Sequence, residues 1–371
     1  MSAANGNFLT QNSNKTPKPM THYTQMKTFD GSRKAPGQRA RVEDTRAAAK
    51  DFRREMLAGP KARYFESFDL IKLVYPCRYG LRNAYSAERL NAFLHIINRV
   101  YVVQYDTPGG LKTLLVSPSD HERGDETPYF RRLQDATPKF IMDRIVTRYD
   151  TVTEVLARIG LKPEDVDYIT YDHLHTQDLR RWLGTSEEPP LLPNAKLLVH
   201  FREWESVLDL SPYQRDWYCP DGIAGLPENK IVQFDDSVML GGGVALVHTP
   251  GHTEGNHSIV VHTDEGLWVT SENGVSVDAY APKLSTIWGV AKYANTIGTE
   301  VIINGNTLED SVDQYISMVQ ELTIAGPSTR DPRYPNVFPS SELTPSWMFP
   351  GTSPSFQVKH ALHGKLTTAA R

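Results

Sequence analysis

The chain of 371 residues carries a formal net charge of −4, an isoelectric point near 6.3 and two cysteines, Cys77 and Cys219. That charge balance gives no argument for a nucleic-acid partner, and two thiols define no disulfide framework, so a reducing compartment is expected. No apolar run reaches the roughly 18 residues of a membrane-spanning helix, and the first thirty residues lack the apolar core of a secretory signal. The expected location is the cytoplasm, with no membrane partner.

Residues 1 to about 40 are polar and basic, with Asp30 as their single acid. Such a composition buries too little apolar surface to offset its ordering entropy. It reads as a flexible arm or as one that orders on a neighbouring subunit, which would make a homodimer. Arg41 to Leu57 reads as a helix, favoured by Ala47-Ala48-Ala49 and stopped by Gly59-Pro60. Three segments follow from this reading: an arm plus helix over 1–60, a main domain over 61–325, and a C-terminal extension over 326–371.

From Tyr64 the pattern turns to strands: Phe68 to Tyr75, Arg99 to Tyr105, and Leu111 to Val116 joined to the second through Pro108-Gly109-Gly110. Between the first two, Ala87 to Ile97 has Leu90, Phe93, Leu94 and Ile97 at helical spacing. Phe140 to Tyr149 is expected to be helical. A further helix starts at Asp150-Thr151-Val152-Thr153-Glu154, has its apolar stripe in Val152, Val155, Leu156 and Ile159, and stops at Gly160. Helices alternating with strands predict an α/β protein with helices covering a sheet.

Tyr168 to Tyr171 then reads as a buried strand running into His173-Leu174-His175. The side-chain period of two in extended chain points both imidazoles one way and Leu174 the other. Thr176 is placed to cap a helix from Gln177, with Leu179, Trp182 and Leu183 on its buried face and Gly184 as its end. Asp178 joins the two imidazoles at that helix start. Leu197 to His200 is a short strand, and Phe201 to Leu226 an aromatic stretch with Trp204, Tyr213, Trp217 and Tyr218. Val244 to Val261 is strand, turn and strand, with His252 in the turn Pro250-Gly251-His252-Thr253. The strand Leu267 to Thr270 runs into Ser271-Glu272-Asn273. Val301 to Ile303 is a last core strand, Asp310 to Leu322 a last helix, and the Pro- and Ser-rich tail beyond Gly326 is expected to hug the surface.

His173-x-His175 after a strand, the later Pro-Gly-His-Thr turn and an acidic residue closing a following strand fall in one order over roughly residues 60 to 310. In this the chain resembles the metallo-β-lactamase superfamily, whose signature is HxHxDH. The resemblance implies an αββα sandwich of two similar β-halves with N- and C-terminal extensions. It implies metal ligation by His173, His175 and His252, with Glu272 in place of the family's bridging aspartate. Two departures stand beside the match: Gln177-Asp178 replaces the family's Asp-His, and Asn304-Gly305-Asn306 stands where the family has a last histidine. The usual second-site ligands are therefore reduced to Asp178 and the amides of Gln177 and Asn306, and one tightly held ion is expected over two. Three imidazoles suit zinc, with iron as the alternative.

The expected activity is metal-dependent hydrolysis. Metal-activated water would attack an ester, lactone or amide-type bond of a small molecule, with Asp178 and Gln177 as the catalytic pair orienting that water or carrying its proton. The rival reading is a mononuclear, dioxygenase-like iron oxidoreductase on the same fold, holding iron through histidines and a carboxylate. A scaffold that has lost catalysis is a third, opposed by three retained histidines.

Overall fold

The computed structural model describes residues 23–84, 93–306 and 311–368. Two sheets lie face to face. The larger runs in the order Leu362–Gly364, Tyr64–Pro76, Phe93–Thr107, Gly110–Val116, Tyr168–Thr170, Lys196–His200, Ile231–Phe234. It is antiparallel as far as Gly110–Val116 and parallel from there on. The smaller is wholly antiparallel: Thr24–Gln25, Val238–Gly241, Val244–His248, His257–Thr263, Gly266–Thr270.

Between the sheets the facing strands bury Tyr101, Val103, Leu114, Leu246, Ile259 and Trp268. The outer face of the smaller sheet is covered by the helices Gln38–Ala58 and Ser311–Ala325, which bring Phe52, Met56, Met318 and Val319 onto Val247, Val260 and Val269. The outer face of the larger sheet meets Val152–Ile159 and Arg180–Leu183, with Val155, Leu156 and Trp182 packed on Val102, Leu115 and Leu197. Both faces of each sheet are thus apolar, which gives the continuous β-branched runs seen in the sequence.

Local signals explain several boundaries. Thr151 and Glu154 form a reciprocal capping box, with Thr151 Oγ1 accepting from Glu154 N at 3.3 Å and a Glu154 carboxylate oxygen accepting from Thr151 N at 2.7 Å. Gly160, at φ +77°, closes that helix in the left-handed region.

Other expectations are corrected. Of the expected helix Ala87–Ile97, residues 93–97 belong to the strand Phe93–Thr107, whose pairing with Tyr64–Pro76 outweighs the helical spacing; residues 87–92 lie outside the described ones. Phe140 to Tyr149 is helical only over Lys139–Ile145, then pairs as Thr147–Arg148 with Tyr64–Pro76. Val301 and Ile302 are buried but join no ladder; Ile302 N donates to Ala279 O at 2.8 Å. The tail is no surface wrap. Val337 and Phe338 are core residues, and Ser341–Thr344 adds a strand to Phe93–Thr107. Its Glu342 meets buried Arg99 at 2.8 Å.

The histidine motif follows the carboxyl end of Tyr168–Thr170, among parallel strands. The loop 249–256, which carries His252, joins His248 to its partner His257, and Glu272 follows Gly266–Thr270. The two sheets thus present their loops at one shared edge. Over this edge lie two short helices, Pro128–Ala136 and Lys139–Ile145, neither of which buries a residue.

Candidate metal centre

His173, His175 and His252 are 5 %, 6 % and 1 % exposed, and one ring nitrogen of each lies within 4.8 Å of the others. The three rings stand edge to face, with centroids 4.5 to 5.0 Å apart. His175 Nδ1 and His252 Nε2 are 3.3 Å apart. A tetrahedral ion with bonds of about 2.0–2.1 Å spans an edge of roughly 3.3–3.4 Å. Asp172 Oδ2 sits 3.1 Å from His173 Nδ1, which leaves Nε2 as the free donor of that ring. The donor set and its spacing fit a divalent ion.

The electrostatics fit it as well. Burial, reinforced by the His173 charge, holds the pKa values of His175 and His252 well below the ordinary imidazole value, so both are neutral donors. Burial also opposes a charge on His173, but the Asp172 and Glu272 carboxylates override it and push that pKa up to about 9. The pocket favours a cation, and the ring nearest the carboxylates takes a proton when it is the cation available.

Each imidazole is aimed by its surroundings. Thr176 adopts φ +63°, a left-handed conformation uncommon for a β-branched residue. It turns the chain away after His175, and its N–H donates to Trp217 O at 2.8 Å. This turn displaces the expected cap. The helix begins at Arg180, after Asp178 Oδ1 has accepted from Arg180 N at 2.9 Å. His252 N donates to Asn273 Oδ1 at 3.1 Å, and Asn273 Nδ2 donates in turn to Thr249 O and Glu321 Oε1. Gly251 carries φ +143°, and a Cβ there would lie 2.2 Å from the Gln314 backbone, so only glycine lets the turn seat on that helix.

The acidic residues part company. Glu272 is at the cluster, its Oε2 3.9 Å from His173 Nε2, its Oε1 accepting from Ser340 Oγ at 3.2 Å. Burial and the neighbouring Asp172 raise its pKa. Asp178 is not brought to the imidazoles. Arg180 Nε lies 3.1 Å from both of its oxygens, Arg123 approaches to 3.9 Å, and Asp178 does not face the cavity above the histidines. Gln177 does face that cavity, as do Asn304 and Asn306. Asn304 Nδ2 donates to Glu272 O at 2.5 Å, while its Oδ1 and that of Asn306 are buried with no partner among the described residues.

The cavity holds about 580 Å³ and has the imidazoles at its floor. Tyr129 and Trp217 stack in one wall with centroids 4.7 Å apart. Leu133, Ile141 and Met142 from the two overlying helices form another. Of the aromatic stretch, Trp217 faces the cavity, whereas Trp204 packs on the sheet.

Sequence reasoning passed over Glu203, Gln214, Asn273 as a brace for His252, and Ser340. Gln214 Oε1 is 3.4 Å from His175 Nε2. Gly251 and Gly255, which pack closely on the Gln314 and Glu203 backbones, are a trace of these contacts in the sequence.

No family model matches the chain. Over 120 residues it is 29 % identical to an N-acyl homoserine lactonase of Bacillus sp, covering 32 % of this chain and 42 % of that protein. N-acyl homoserine lactonase AiiA of Bacillus thuringiensis subsp. kurstaki is 28 % identical over 120 residues, with the same coverage of 32 % and 42 %. The match therefore spans under half the length of these relatives. Among solved structures, a quorum-quenching N-acyl homoserine lactone hydrolase superposes with a TM-score of 0.47 at 14 % identity, covering 76 % of this chain and 94 % of that one. AidC, a dizinc quorum-quenching lactonase, gives 0.47 at 12 % identity, covering 84 % and 99 %. Two sheets face to face, helices outside both and the histidine turns at their shared edge make the chain an α/β protein with the αββα layering that the sequence resemblance implied.

Proposed function

We propose that the chain is a metal-dependent hydrolase that opens a lactone, or cleaves a related ester, of a small and largely apolar molecule. The observation that carries this reading is the convergence of three buried imidazoles on the floor of an aromatic and aliphatic cavity. The similarity to N-acyl homoserine lactonases supports it and makes N-acyl homoserine lactones the first substrates to try.

His173, His175 and His252 would hold one zinc ion. When bound, the ion supplies Lewis-acid polarisation of a carbonyl oxygen and a water of lowered pKa. The chain's own groups do the rest. Asp172 fixes the His173 ring. Glu272 faces the reacting space and orients water or carries its proton. Gln177 offers an amide to the substrate's polar end. Tyr129 and Trp217 shield the reacting bond from bulk solvent. Asp178, occupied by two arginines, serves as a loop tie, and one ion is therefore proposed over two.

The test is chelator-stripped protein, reloaded with zinc and given N-acyl homoserine lactones of several chain lengths. Acid release that depends on zinc, with ring-opened product by mass spectrometry, supports the reading. Zinc-loaded protein that opens no lactone and cleaves no ester overturns it. Iron in the protein as purified, with oxygen uptake, would favour the oxidoreductase.

A further inference from the structure

Glu203 lies in the helix Phe201–Leu208, which contributes no imidazole to the cluster, and is 0 % exposed. Its Oε1 accepts from the backbone N of Leu174 at 2.7 Å and from the Tyr218 hydroxyl at 3.1 Å. Its Oε2 accepts from Thr253 Oγ1 at 2.5 Å. Leu174 stands between His173 and His175, and Thr253 follows His252. One carboxylate therefore grips both ligand-bearing loops, together with the loop that carries Gln214 and Trp217.

A separate observation joins the same parts. A Cβ on Gly255 would lie 2.1 Å from Glu203 N and 2.5 Å from its Cα. The turn after His252 is thus pressed onto the Glu203 backbone at a distance that only glycine permits. A buried carboxylate is costly unless its lone pairs are satisfied and a positive charge lies near. Three donors meet the first need. The second points at the imidazoles, since the carboxylate reaches the backbone between His173 and His175 and the side chain next to His252.

We infer that Glu203 is a positioning residue that sets the spacing of the three imidazoles by holding both of their loops, and that its charge favours a cation among them. The inference rests on the cluster being a metal site. It does not depend on which bond the protein cleaves.

The experiment compares wild type with Glu203→Gln, Thr253→Val and Glu203→Ala. Metal-free protein is titrated with zinc against a chromophoric chelator, and the cobalt(II) form is examined by visible absorption. Glutamine keeps an acceptor for Leu174 and Tyr218 but removes the charge; valine keeps the charge but releases the His252 loop. Outer partners of metal ligands are worth about 10–100-fold in affinity. Glu203→Gln and Thr253→Val should each weaken zinc by about 10-fold and alter the cobalt bands, with the melting temperature of the metal-free protein little changed. Glu203→Ala should approach 100-fold on the same scale; should it fail to fold, the other two variants decide. Zinc affinity and cobalt spectra equal to wild type in both would overturn the inference. A wild type that binds no zinc would instead defeat the metal reading itself, so the two failures are distinguishable.

Discussion

The Arg180 guanidinium closes on the carboxylate of Asp178 two residues before it, with Nε 3.1 Å from each oxygen, while the Arg180 backbone N donates to Oδ1 at 2.9 Å. Arg123 approaches Oδ1 to 3.9 Å from another element, so this buried carboxylate has few lone pairs left to offer an ion.

Asp178→Asn should therefore leave the metal content unchanged and lower the stability. A hydrogen bond to a charged group contributes about 1.5–3 kcal/mol, and that sets the scale of the loss. Metal per chain after dialysis against a mild chelator, measured beside the melting temperature, checks this. A fall in metal content at constant stability would return Asp178 to the ligand set.

Replacing His173, His175 or His252 by alanine should release the ion from a folded protein. Each ring supplies one of three donors lying within 4.8 Å. Loss of a direct ligand should exceed the roughly 10–100-fold cost of losing an outer partner. Zinc titration of the three variants measures it; a variant with wild-type affinity would drop that ring from the set.

Acid should destabilise the metal-free protein through imidazoles outside the cluster as well. His257 is 0 % exposed, its Nε2 3.1 Å from Thr170 Oγ1, and burial carries its pKa down to about 4. In the unfolded chain the value is about 6.5. Between these values the unfolded chain binds a proton that the folded one refuses, so stability is full above about pH 6.5 and falls as pH drops towards 4. The loss is on the order of 3 kcal/mol for this ring. Urea unfolding at stepped pH should give a shallower dependence for His257→Gln than for wild type. Equal slopes would mean that His257 is not the group being titrated.

Glu342→Ala should be among the most damaging single changes. Arg99 and Glu342 are 1 % and 2 % exposed and pair at 2.8 Å, with Asp69 as the remaining acid at 3.1 Å. Removing one partner of a buried pair costs about 3–5 kcal/mol, because the other charge stays buried. Thermal melts test this; a loss below 1 kcal/mol, within surface-pair range, would show that Asp69 suffices.

The parts legible in the sequence were those with a local cause. The Thr151 cap, the Gly160 stop and the hairpin at Pro108-Gly109-Gly110 each follow from neighbouring residues. The missed parts depend on distant ones. The strand over 93–97 exists because Tyr64–Pro76 lies beside it, and the tail enters the core because Arg99 awaits Glu342. Asp178 shows the same limit: beside two histidines it reads as a ligand, and only the fold brings Arg123 from another element to share it with Arg180. Glu203 has no local mark at all, being one acid in an amphipathic helix.

The helices Pro128–Ala136 and Lys139–Ile145 roof the cavity without burying a single residue. With Tyr129 on Trp217 as their main apolar anchor and no fully buried residue, they belong to the low-stability end of the molecule. Their amides should exchange with deuterium well before those of the sheets, and a protease should cut first near Thr137-Pro138. A molecule filling the cavity supplies the surface that Leu133, Ile141 and Met142 lack, so occupancy should slow both exchange and cleavage there. Retarded exchange in this roof is thus a way to screen for ligands that needs no turnover.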